Sequence, residues 1–192
     1  MKTTLITLLA GLGLASAANA QFSDMQGGLL LGGGYLEDPG KAYGFGQIRG
    51  TFYEDDTSAH TFFLELLGHT DDAVLEYTGR GGRLFLEDGD ITFVNLTANY
   101  EFEIKFAGPI SFFAGAGAGL EFVSLDDSFD YSIDNDTNFV AQGFGGLRAH
   151  FPSGFMAQMG ARYLVRDDFA LLGDQFLTND SWSYELSLGF KF

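Results

Sequence analysis

The sequence predicts an all-β fold, an eight-stranded antiparallel up-and-down transmembrane β-barrel, and three observations predict it. Stretches of strand length alternate apolar with polar side chains, the period-two mark of a sheet with two unlike faces. Composition agrees, since 27 Gly and 21 Phe against 3 Pro favour many strands and tight turns over helices. The rings gather at the ends of the apolar faces while alanine, glycine and leucine fill the middles. Two interfacial girdles in a bilayer require that distribution, whereas a dry core gains most from rings near its centre.

Residues 1–20 read as a removed secretory signal and residues 21–192 as the barrel domain. Met1-Lys2 supplies a positive start, Leu5 to Leu14 a short apolar run, and Ala18-Asn19-Ala20 a small-x-small cleavage site. The run falls short of the roughly 20 residues a spanning helix needs. With 26 Asp and Glu against 10 Lys and Arg, the formal charge is −16, which repels phosphate backbones and argues against a nucleic-acid partner. Absence of cysteine rules out disulfides and thiol chemistry.

In chain order, Gly28 to Leu36 is the first strand, with Leu29, Leu31 and Tyr35 outward and a weak alternation. Tyr43 to Tyr53 is the second, with Ile48 and Phe52 opposite Gln47 and Arg49; the pattern assigns no face to Tyr43 and Phe45. The third begins at Ala59, with Phe62, Leu64 and Leu66 outward and Thr61, Phe63 and Glu65 inward, and runs as far as Tyr77. That exceeds the roughly 9–11 residues that cross the hydrocarbon, so its far end projects into water. Thr78 to Gly89 then reads as a long loop.

The fourth strand sets Val94, Leu96, Ala98, Tyr100, Phe102 and Ile104 against Asn95, Thr97, Asn99, Glu101 and Glu103. After a tight turn at Ala107-Gly108-Pro109, the fifth sends Phe112, Ala114, Ala116, Ala118, Leu120 and Phe122 one way and Gly115, Gly117, Gly119 and Glu121 the other. Glycines on the inner face leave room for larger neighbours. Leu125 to Asp136 is an acidic loop; the sixth strand places Phe139, Ala141, Leu147, Ala149 and Phe151 opposite Gln142, Arg148 and His150. The seventh opposes Phe155, Ala157, Met159, Ala161, Tyr163 and Val165 to Gln158, Arg162 and Arg166. A loop from Asp167 to Asp180 leads to the last strand, where Trp182, Tyr184, Leu186, Leu188, Phe190 and Phe192 form one greasy face.

Alternation alone does not say which face points out, because a soluble ligand-binding barrel puts its apolar residues inside. The polar faces carry Arg49, Glu65, Glu101, Glu103, Glu121, Arg148, Arg162, Arg166, Glu185 and Lys191. A cation on the lipid face costs about 2–4 kcal/mol at mid-depth, so these ten form a lumen charge network. In it, Glu185 is expected near Arg162 or Arg166.

The terminal strand Tyr184-Glu185-Leu186-Ser187-Leu188-Gly189-Phe190-Lys191-Phe192 resembles the C-terminal assembly signal of the small outer-membrane β-barrel family that includes outer-membrane proteins A and X. The resemblance covers Gly28 to Phe192. It implies a monomer in the outer membrane of a Gram-negative-type bacterium, in contact with membrane lipid and lipopolysaccharide. Tyr184, Leu188, Phe190 and Phe192 would be read by the barrel-assembly machinery, with Leu186 beside them on the lipid face. A peptidoglycan-binding domain like that of outer-membrane protein A has no counterpart here, so cell-wall tethering is not implied.

Enzymes that acylate or deacylate lipid A occur on such scaffolds, but the His-x-Ser pairing of a deacylase is missing at His60, His69 and His150, and no catalytic residue is assigned. Asp134-Asn135-Asp136 begins like a calcium loop, yet Phe139 stands at the turn glycine and Gly145 at the bidentate glutamate. No metal and no cofactor is therefore expected, and Asp126, Asp127, Asp130, Asp134 and Asp136 read as a solvated face. The expected function is non-enzymatic, structural or surface-binding, with a host or surface ligand held at the extracellular loops. The alternatives are a narrow small-solute channel, a lipid A-modifying enzyme and a soluble ligand-binding barrel.

Overall fold

The computed structural model describes residues 25–78, 84–106, 108–126, 136–166, 169–171, 174–176 and 180–192. Eight long antiparallel strands close on themselves: β1 (Gln26–Leu36), β2 (Lys41–Glu54), β3 (Ser58–Thr78), β4 (Leu84–Lys105), β5 (Ile110–Asp126), β6 (Asp136–His150), β7 (Phe155–Arg166) and β10 (Ser181–Lys191). Each pairs with its chain neighbours, and β1 pairs with β10 from Gly28↔Lys191 to Leu36↔Ser183 to complete the ring. Between β7 and β10, β8 (Phe169–Leu171) and β9 (Asp174–Phe176) form a separate small hairpin.

The sheet has the sidedness that the charges require. Leu186 is 66% exposed and Leu188 58%, while Glu101 on the opposite face of the sheet is 1% exposed. Tyr184, Phe190 and Phe192 share the exposed face with Leu186. Exposed rings stand near both ends of the wall: Phe112, Phe151, Phe155 and Phe190 at the end where turns are tight, Tyr35, Phe122, Phe139 and Trp182 at the other.

Tyr43 and Phe45, which the alternation left without a face, point inward and are buried. The first strand admits them. Gly34 lies directly opposite Tyr43 and Gly32 opposite Phe45, and a Cβ at Gly34 would sit 2.6 Å from the tyrosine ring, one at Gly32 2.5 Å from the phenylalanine ring. The weak alternation of β1 therefore has a packing cause.

Two expected loops are corrected. Residues 84–89, read as part of a loop from Thr78 to Gly89, belong to β4, and the β3–β4 ladder continues from Ser58↔Ile104 to Thr78↔Leu84. The pairing of β2 with β3 stops at Gly44↔Gly68, so this hairpin extends well past its neighbour. Likewise β5 runs to Asp126 and β6 starts at Asp136, leaving the middle of the acidic stretch, with Asp127, Asp130 and Asp134, outside the described residues. The loop from Asp167 to Asp180 carries the β8–β9 hairpin.

Candidate functional site: a lumen filled with ion pairs and rings

Side-chain parity along the strands brings nine of the ten expected lumen charges into the interior, all buried: Arg49, Glu65, Glu101, Glu103, Glu121, Arg148, Arg162, Arg166 and Glu185. Lys191 stands apart. It is half-buried at the rim of the tight-turn end, where it and Lys105 both hold Glu54 at the end of β2.

The buried charges stack in three layers. Nearest the tight turns, Arg148 donates from Nη1 to Glu101 (2.8 Å) and Glu103 (2.5 Å) and from Nη2 to the second oxygen of Glu101 (2.9 Å). Arg49 reaches the same Glu101. Gln158 Oε1 accepts from Arg148 Nε at 3.0 Å. The two guanidiniums lie over rings that alternation alone did not single out as partners, Arg49 over Phe63 and Arg148 over Phe113, each 4.7 Å from the centroid.

In the middle layer Arg162 bridges Glu65 and Glu185. Its Nη2 lies 2.8 Å from Glu65 Oε2 and 2.9 Å from Glu185 Oε2, and Nη1 also donates to Glu65 and to Gln142 Oε1. Of the two arginines near Glu185 in sequence register, it is Arg162 that makes the contact. Tyr43 Oη donates to Glu185 at 3.0 Å, and Gln47 Nε2 to Glu65 at 2.7 Å. Phe45 and Phe144 flank the guanidinium at 5.2 and 6.0 Å. Arg49 Nη1 donates to Gln47 Oε1 at 2.5 Å, tying this layer to the first.

The third layer, toward the projecting hairpin, pairs Arg166 with Glu121 at 3.3 Å, without the angle of a hydrogen bond. Arg166 also lies 5.7 Å from the centroid of Phe93, on which His69 stacks at 4.7 Å.

Sequence reasoning missed the buried rings Tyr43, Phe45, Phe113 and Phe144 as lumen residues. Parity was the available signal: 43 and 45 share phase with Gln47 and Arg49, 113 with Glu121, and 144 with Gln142. Burying a guanidinium costs several kcal/mol, and here carboxylates, amides and ring faces replace its hydration.

Among the described residues these layers cross the lumen from wall to wall. A cavity of about 20 Å³ opens at the tight-turn mouth among Arg49, Thr51, Thr61, Glu103, Arg148 and His150, room for a water molecule. Beside it Ser111, His150 and Glu103 form a group that superficially suggests a hydrolytic triad. Ser111 Oγ and Glu103 Oε1 both contact the same nitrogen, His150 Nε2, at 3.3 and 2.5 Å. A triad needs the acid on one ring nitrogen and the nucleophile on the other, and Ser111 is fully buried. Among the described residues no group of three or more His, Asp or Glu is placed to hold a metal ion.

A closed barrel with leucine and aromatic rings outside and ion pairs inside is a transmembrane β-barrel. Solved structures of small outer-membrane barrels share the fold. The chain is similar to neisserial surface protein A (TM-score 0.52, 15% identity, 87% of this chain and 94% of that one). It is similar to Ail, the attachment invasion locus protein of Yersinia pestis, solved with the heparin analogue sucrose octasulfate (0.51, 14%, 88% and 98%). A major outer membrane protein from Thermus thermophilus is also similar (0.50, 16%, 88% and 99%). At these identities the likeness is one of fold. No protein-family model and no curated protein matches the chain.

Proposed function

We propose that residues 21–192, freed of a signal at 1–20, form a non-enzymatic barrel of a Gram-negative-type outer membrane that binds a cationic surface partner at its extracellular end. The observation that carries this reading is the β3–β4 hairpin, whose ladder continues to Thr78↔Leu84 after β2 has stopped pairing at Gly68. By the rule that short turns face the periplasm and longer connections the exterior, this hairpin stands outside the cell. Its residues 69–90 include Asp71, Asp72, Glu76, Glu87, Asp88 and Asp90 against Arg80 and Arg83. Ail was solved with a polyanion; the acid excess here suits a ligand of opposite sign, such as a Lys- and Arg-rich protein segment.

The belt of β10 is the surface offered to lipid, lipopolysaccharide and the barrel-assembly machinery in this reading, with Tyr184, Leu188, Phe190 and Phe192 as the recognised residues. Ion-pair layers across the lumen support an anchoring role over transport.

The test uses proteoliposomes of the refolded chain and a fluorescent polylysine probe. Binding is expected to weaken steeply with salt, since exposed charges are screened beyond about 8 Å at physiological ionic strength. Replacing residues 73–89 by an Asn-Gly turn is expected to remove most of the binding while leaving the barrel compact in unboiled detergent gels. Failure of the wild-type chain to bind, or undiminished binding by the shortened one, would sink the proposal.

A further inference from the structure

The outer wall carries one residue that hydrocarbon does not require. From the tight turns up to Gly68, Val94 and Phe122, the outward positions of the eight long strands hold a single Asp, Glu, Lys, Arg or His among the described residues. It is His60, the third residue of β3. An imidazole facing hydrocarbon costs free energy unless its polar atoms are paired, and ionisable side chains at membrane depth are as a rule functional. His60 Nδ1 meets Tyr100 Oη at 2.6 Å, which leaves Nε2 for the membrane.

A backbone irregularity builds the rest of the patch. The β2–β3 ladder steps from Thr51↔Thr61 to Tyr53↔His60, so Phe52 is an extra residue in β2, a bulge. Bulges re-aim side chains, and here Phe52 and Tyr53, adjacent in sequence, are both exposed beside the imidazole. Phe52 stacks on Phe62 at 5.0 Å, and the His60 ring lies 5.9 Å from Phe52, 5.4 Å from Tyr53 and 5.0 Å from Phe102. Tyr53 Oη in turn donates to Asp55 Oδ2 at 2.7 Å. A carboxylate of the β2–β3 turn therefore stands beside the rings, with exposed Asp56 next in the chain. Tyrosine at a barrel's end sits at headgroup level, which puts this group at the phosphate depth of the leaflet on the tight-turn side.

The polar atoms define the class of ligand. If Tyr100 donates to Nδ1, the neutral ring presents Nε2–H outward; if Nδ1 donates instead, the Tyr100 hydroxyl proton is released to the membrane; an imidazolium presents Nε2–H again. Each protonation state offers a donor. Its complement is an acceptor, and at this depth that is a phosphodiester oxygen. The nearby lysines do not enlarge the positive pole, since Lys105 and Lys191 are both held by Glu54. A purely anionic headgroup would face Asp55 and Asp56, whereas an ammonium two carbons beyond the phosphate ester complements them. We propose that this part of the wall binds a phosphatidylethanolamine headgroup, with its phosphate on the His60–Tyr100 pair and its ammonium toward Asp55 and Asp56. Phe52, Phe62 and Phe102 then meet the glycerol and the first acyl carbons.

The test uses the chain refolded in dodecyl maltoside, whose headgroup has no phosphate, with nitrogen-15 in its histidines. Short-chain phosphatidylethanolamine is titrated in, and phosphatidylglycerol with the same acyl chains in a parallel series. The His60 signal is expected to shift saturably with the first lipid and to need about tenfold more of the second, the worth of one charge-assisted contact. His69, buried in the lumen, should not move. Tyr100→Phe is expected to weaken the phosphatidylethanolamine isotherm several-fold while unboiled gels keep the compact band. Absence of a saturable shift at His60, equal affinity for the two lipids, or an unchanged isotherm in compact Tyr100→Phe would each overturn the proposal. A second variant, Asp55→Asn with Asp56→Asn, keeps the rings and the imidazole. It should raise phosphatidylglycerol to the affinity of phosphatidylethanolamine, and a preference left intact would overturn the ammonium assignment.

Discussion

Arg162 is the side chain on which the middle of the lumen depends, since both Glu65 and Glu185 face it and both are buried. Replacing it with methionine leaves two uncompensated carboxylates between Phe45 and Phe144, and loss of one partner of a buried pair costs about 3–5 kcal/mol. We expect Arg162→Met to lower the unfolding free energy of the refolded barrel, read from urea titration, by that measure. Adding Glu65→Gln and Glu185→Gln should restore most of it, because the charges are then removed together. A second residue-scale prediction concerns Asp55 in the exposed β2–β3 turn. Tyr53 Oη donates to its carboxylate at 2.7 Å, and Thr57 N and Ser58 N each donate at 2.7 Å, holding it well below the usual carboxylate range, with the Tyr53 bond the largest cause. A depressed folded-state value means that the turn's stabilisation is complete above the unfolded value, about 3.9, and is lost as pH falls below it. Carbon-13 titration of Asp55 should show a midpoint displaced to acid, and Asp55→Asn should abolish the acid-dependent loosening of the turn amides.

Individual strands differ in how openly the sequence declares them. In β10 and the lower part of β4, leucine or ring alternates with serine, glutamate or asparagine, and both faces were legible because one meets lipid and the other the charged lumen. In β2, β5 and β6 the inner face carries rings as well as charges, and an apolar side chain seen alone looks as though it belongs to lipid. Polarity therefore failed at Tyr43, Phe45, Phe113 and Phe144, where phase relative to a nearby charge would have succeeded. In the upper halves of β3 and β4 the sequence does not alternate apolar with polar residues, so paired strand resembled loop. Gly115 offers a test at this scale. It lies directly opposite Phe144, and a Cβ there would come within 2.5 Å of the ring and crowd the carbonyl oxygen of Tyr100. Overpacking typically costs about 1–3 kcal/mol, occasionally more. Gly115→Val is expected to reduce the yield of compact barrel on refolding, and adding Phe144→Ala to recover part of it, both read on unboiled gels.

Taken whole, the barrel is an inverted soluble protein whose core is electrostatic and whose surface is its apolar material. Eight strands leave an interior that side chains fill, while aqueous channels come with about 16–18. The Arg49–Glu101–Arg148 and Glu65–Arg162–Glu185 groups span that interior between opposite walls. Purified protein in a planar bilayer is therefore expected to give no sustained ion current, and a steady open level would contradict this account of the lumen. The seam between β1 and β10 has a consequence of its own. Without the strand nearest the carboxyl end, the one nearest the amino end has only one partner, and any shorter fragment keeps two bare hydrogen-bonding edges. Hydrocarbon cannot satisfy such edges, so the wall is complete in a bilayer only when its last ladder has formed.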